Sequence, residues 1–182
     1  MRKLLQGGVL LLVMLLVMLL VGCAASPKVK APTRAGGGGY AIAVLSDRGV
    51  TPELDPDRAN QYNQVGAWME QDLLRMLGKA GYQARLIGSR GEFSGADGEY
   101  LLSVRIVTYR SGSKAARIIV GFGAGATSLD THYELYGAGP QPLLAEDHGV
   151  GSSIDWYQVV QKLNQQMVDA VSRKLAETGG RG

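Results

Sequence analysis

Asp130, His132 and Glu134 are the residues best suited to hold an ion, because alternate positions on a strand put all three side chains on one face. An imidazole with two carboxylates is a donor set for zinc or a similar cation. The same alternation is what the solvent-facing side of any antiparallel strand shows. The residues favour that plainer reading, so no metal site and no cofactor is expected. Glu146, Asp147 and His148 could add ligands only if their strand lies beside the first. Ser128 or Ser153 with either histidine spells a Ser-His-Asp set on paper. No serine stands in a G-x-S-x-G elbow, however, and no catalytic residue is expected.

The second unusual stretch is IIVGFGAGATSL, residues 118–129, with glycine at 121, 123 and 125. A dinucleotide fingerprint needs G-x-G-x-x-G between a strand and a helix, and here the following ATSLDTHYELY alternates with period two. A phosphate loop would need G-K-[ST], which is missing. Three readings stay open. Glycines on one strand face can allow a bulge, a bend or close backbone packing, and this structural reading is favoured. Gly121, Gly123 and Gly125 could instead form a smooth interaction surface for a partner strand or an envelope polymer. Residues 118–126 carry no charge and could form a membrane-entering tip, but a lone strand cannot satisfy its backbone in lipid.

Chemistry of a different kind is legible at the start of the chain. Arg2 and Lys3 precede an apolar run from Val9 to Val21, too short for a typical spanning helix and right for a secretory signal peptide. The tetrad Leu20-Val21-Gly22-Cys23 resembles the bacterial lipobox, whose cysteine thiol takes a thioether-linked diacylglycerol and becomes the acylated first residue. Cys23 is the single cysteine of the chain, so it is the expected lipid attachment site, bearing palmitate-type chains, and no disulfide is expected. Ala24 follows in place of the aspartate that favours inner-membrane retention. The expected location is therefore the outer membrane, facing the periplasm. Without Arg2 and Lys3, the 19 basic residues become 17 against 16 acidic, a net charge of +1. Such a balance is no nucleic-acid footprint, which needs clustered Lys and Arg.

These candidate groups must be positioned by the chain after residue 22. Residues 23–39 are a lipid-anchored flexible tether ending in four glycines, with a coil span of about 20 to 24 Å. Lys28, Lys30 and Arg34 lie within it. Residues 40–177 are expected to form one domain, and residues 178–182 a disordered tail. YAIAVLSD (40–47) is apolar on both alternations, as in an inner strand covered on both faces. Asp55 can cap and Pro56 can open a helix over about 57–80, whose core face is Tyr62, Val65, Met69, Leu73, Met76 and Leu77, with Gly81 as its stop. Trp68 sits at the edge of that face. Residues 82–88 read as a strand and 89–98 as a polar loop. Residues 99–110 alternate as a strand with one face to solvent, pairing through a turn at 111–114 with a long β segment over about 115–136. A short strand at 143–147 and a GVGSS loop precede a final helix, capped by Ser152 or Ser153 with Asp155 completing a capping box. Its core face is Ile154, Tyr157, Val160, Leu163, Met167, Val171 and Leu175. The order β-α-β-β-β-β-α predicts an α/β chain of the α+β type, a mixed, largely antiparallel sheet with two amphipathic helices on one face.

From Gly112 through Arg117, the glycines at 121, 123 and 125, and Asp130, the chain resembles the bacterial lipoproteins of the domain of unknown function 4410 family. That resemblance implies an envelope lipoprotein with no activity attached to it. A looser likeness, of fold alone, links the arrangement to αβ domains of curli-secretion and Tol-system periplasmic proteins. The expected function is thus a non-enzymatic, lipid-anchored binding or adaptor module for envelope assembly or maintenance. Its partners are the membrane through the anchor and an unidentified envelope protein or polymer, and nucleic acid is not one of them. An auxiliary, oligomeric subunit of a transport or secretion complex is the second reading, and an enzyme the third.

Overall fold

Apolar residues at helical spacing in two segments, and at alternate spacing in the strands between them, give a layer of helices on a sheet. The computed structural model describes residues 39–112, 126–152 and 155–179. Its elements are β1 (Ala41–Asp47), α1 (Pro56–Ala80), β2 (Gln83–Ile87), a 3-10 turn (Arg90–Glu92), β3 (Glu99–Arg110), β4 (Thr127–Tyr136), β5 (Pro142–Ser152) and α2 (Trp156–Gly179). The sheet has five strands in the order β2-β1-β3-β4-β5. β1 pairs in parallel with β2 and β3, while β3, β4 and β5 run antiparallel, so the sheet is mixed as expected.

The core lies between one sheet face and the helices. Ile42, Val44, Leu102, Val104, Leu129 and Leu135 meet Val65, Met69, Leu73 and Leu77 of α1 and Leu163, Met167, Val171 and Leu175 of α2. Asp55 caps α1 by accepting from Arg58 N–H at 2.9 Å, and Gly81 ends it at φ +109°, a left-handed conformation that glycine adopts without strain. The pairing of β3 with β4 shifts at a bulge between Ile106 and Thr108, just before Tyr109. The Tyr109 N–H donates to the buried Tyr62 hydroxyl at 2.9 Å, which ties β3 to α1. Between the helices Asn164 Nδ2 donates to Asp72 at 2.9 Å and to the Met69 carbonyl at 3.1 Å. Arg75 pairs with the same buried Asp72.

Several expectations need correction. β5 does not stop at residue 147 before a loop, because the glycine-containing GVGSS stretch continues the pairing with β4 as far as Ser152. Ser152 therefore belongs to the strand, and the Asp155 carboxylate takes the Tyr157 N–H at 3.1 Å, while Ser153 and Ile154 lie outside the described residues. Tyr157 is not on the core face of α2. It is 43% exposed and stacks on Trp156 at 3.8 Å, with Trp68 edge-on to both. Nor is the second face of the sheet wholly open. Loop 88–98 crosses it, laying Phe93 on a small cluster of Ala43, Ile87, Leu101 and Tyr136. Among the described residues no helix is long and apolar enough to cross a membrane.

Candidate functional site

The strand order settles which of the titratable residues can meet. Asp47 of β1 is in register with Arg105 of β3, Arg105 with His132 of β4, and His132 with Asp147 of β5. These four side chains form one row across the helix-free face. Arg105 Nε donates to Asp47 at 2.9 Å, and His132 Nδ1 donates to Asp147 at 2.8 Å. The row is solvent-facing, with Arg105 65%, His132 36% and Asp147 83% exposed. It lines an open groove of about 540 Å³ whose other walls include Gly49, Val50, Thr51 and Val107. The loop 48–51 is held from behind by Arg48, which makes two 2.8 Å bonds to the buried Glu70 of α1. Glu70 holds the Arg48 guanidinium above the ordinary arginine range, against the burial that lowers it. Arg48 can lie across α1 because residue 66 is glycine, since a Cβ there would stand 2.6 Å from its Cγ.

Each candidate from the sequence has a definite place. Asp130, His132 and Glu134 do share the helix-free face, and Asp147 joins them. Glu146 and His148 turn to the other side, because neighbouring residues of a strand alternate between faces. There the buried Tyr133 hydroxyl donates to Glu146 at 2.6 Å, and His148 Nε2 donates to the same oxygen at 2.9 Å. Burial first, and the Glu146 carboxylate second, push the Tyr133 phenol well above the ordinary tyrosine range. Glu134 accepts from Tyr136 at 2.8 Å, and Arg90 of the crossing loop lies 4.2 Å over the Tyr136 ring. Among the described residues no group of three or more His, Cys, Asp or Glu side chains converges on a metal-sized position. Ser128 lies on β4, while Ser153, Cys23 and Gly121, Gly123 and Gly125 fall outside the described residues.

The transverse row was missed by sequence reasoning. A polar residue on each of four alternating strands was available as a signal, but not the pairing that aligns them. The Arg48–Glu70 pair was also missed, although Gly66 within a helical pattern marks a site of close approach. What the row offers is binding chemistry. Exposed ion pairs are worth about 0 to 1 kcal/mol each, so a partner can exchange them for its own contacts at small cost.

The fold recurs in solved structures. A PelC dodecamer from Paraburkholderia phytofirmans aligns at TM-score 0.52 and 16% identity, over 78% of this chain and 91% of that one. A Xanthomonas campestris protein of the DUF330 family aligns at TM-score 0.50 and 13% identity, over 85% and 97%. An uncharacterized lipoprotein B from Nitrosomonas europaea reaches TM-score 0.39 at 13% identity, over 87% and 95%. At identities this low the first two alignments speak for the fold alone, and the third, at TM-score 0.39, adds nothing to them. No curated protein matches the chain. Residues 52–174 match the family model described as Domain of unknown function (DUF4410), and the chain belongs to that family.

Proposed function

We propose that this chain is a lipid-anchored cell-envelope protein whose domain is a non-enzymatic binding or adaptor module, serving envelope assembly or maintenance. The observation that carries the reading is the helix-free sheet face, where Asp47, Arg105, His132 and Asp147 stand in register, joined by one exposed ion pair and one exposed hydrogen bond. His132 and His148 hydrogen-bond to carboxylates, Asp147 and Glu146, an arrangement for holding rings in place. Anchoring follows from the charged start, the apolar run and the LVGC tetrad ending in Cys23. Acyl chains contribute about 0.8 kcal/mol per buried methylene, enough for two or three of them to dominate membrane affinity. The placement is the outer membrane, facing the periplasm, with the tether letting the domain stand off the lipid.

A second reading, an auxiliary oligomeric subunit of a transport or secretion complex, is supported by the fold shared with the PelC dodecamer. Size after detergent extraction separates the two, since a ring is far larger than a monomer. The primary reading is tested by Cys23→Ser, which should abolish palmitate labelling and release the protein from membranes. If the variant still sediments with membranes after a high-salt wash, the anchor assignment fails.

A further inference from the structure

The two edges of the sheet differ. β2 is five residues long and β5 eleven. β5 holds an outer position and pairs with β4 on one side. Among the described residues, the other side of positions 142–151 forms no backbone hydrogen bonds with another strand or loop. A long edge of this kind is a template for another strand, and natural proteins commonly guard it with lysine or proline. Here Pro142 opens the strand, and no lysine follows. From residue 126 to 155 the sequence has Asp130, Glu134, Glu146, Asp147 and Asp155, and no lysine or arginine. In a chain close to neutral as a whole, β4 and β5 themselves therefore carry only acidic charges, while Arg173 of α2 acts on Tyr133 from the helix-covered face.

Two of the carboxylates lie on the helix-free face beside the edge, Asp130 from β4 and Asp147 from β5, the latter exposed while accepting from His132 at 2.8 Å. A Cβ on Gly149 would lie 2.5 Å from Asp130 Oδ1, so the Asp130 carboxylate reaches across from β4 over β5. Asp147 stands two residues earlier on the same face. Two positions is also the spacing between same-face side chains of any strand laid alongside. A second β5 would bring carboxylates against carboxylates, which disfavours self-pairing. We propose that the outer edge of β5 takes up an extended polypeptide segment of a partner, with Lys or Arg at alternate positions, as an added strand of the sheet. Main-chain hydrogen bonds then supply affinity, and Asp130 and Asp147 select the basic side chains. This rests on the adaptor reading and names the partner's chemistry.

The test uses the full-length protein in detergent micelles and a peptide of alternating lysine and valine, with a glutamate-valine peptide as counterpart. The lysine peptide should bind and slow exchange of the outward β5 amides, with Kd rising as salt is added. Asp130→Asn with Asp147→Asn should weaken it about tenfold. Equal binding of both peptides, or binding without β5 protection, overturns the proposal. So does an unliganded β5 that is already protected and becomes exposed on deleting residues 24–38, which would make the tether the occupant. If the edge fails but crosslinks elsewhere on the domain capture a partner in cells, the adaptor reading stands. If neither captures anything, both fall.

Discussion

The two faces of the sheet are built from the same strands and have opposite surroundings. On one, Ile42, Val44, Leu102, Leu129 and Leu135 are sealed under α1 and α2. On the other, loop 88–98 covers one end, and Asp47, Arg105, His132 and Asp147 stand in water beyond it. Alternation along a strand is what makes this division possible, since each residue added to the core adds a neighbour to the opposite surface. Stability and the proposed recognition would thereby be carried by different side chains, and substitutions should separate them.

The largest effect belongs to the covered face. Leu163→Ala removes a fully buried side chain and should cost about 2 to 5 kcal/mol in denaturant unfolding. A loss comparable to that of surface substitutions would mean that α2 is not packed as described. Next comes Arg48→Ala, which strips both hydrogen bonds from the buried Glu70. Because Arg48 is itself partly solvated, the expected cost is about 2 kcal/mol, and Glu70→Gln in the same background should recover part of it.

Tyr133→Phe should cost about 1 kcal/mol at neutral pH. Its pH dependence has a fixed sign. The phenol is raised in the folded state, so its contribution is complete below the unfolded tyrosine pKa of about 10 and is lost as pH rises beyond it. The variant should therefore lose less stability than the wild type between about pH 10 and 12. Equal alkaline losses would contradict the assignment. The smallest effect is expected on the open face, where Asp130→Asn with His132→Gln should shift stability by within about 0.5 kcal/mol. Stoichiometric zinc in the wild type, lost in this pair, would instead make the face a metal site.

Much of the covered face was legible beforehand, because its signals are local. Asp55, Pro56 and Gly81 bracket α1, and Met69, Leu73 and Leu77 recur at its period. The open face was harder, since its order depends on pairing between strands distant in sequence. The reach of β5 was hidden by Gly149 and Gly151, which read as loop residues. Gly149 has a positional reason instead, as room for Asp130. The cover over Leu101 was hidden as well, because one phenylalanine in a polar loop makes no period. The split of Glu146 and His148 from Asp147 could have been anticipated from alternation alone, had the strand boundary been placed later.

The central claim is that recognition uses the helix-free face and the β5 edge beside it. A photocrosslinking residue at Asp147, compared in intact cells with one at the exposed Gln161 of α2, tests it most directly. The account predicts a discrete crosslinked species from position 147 and none from position 161. Capture from 161 alone would contradict it, and would move recognition to the helices.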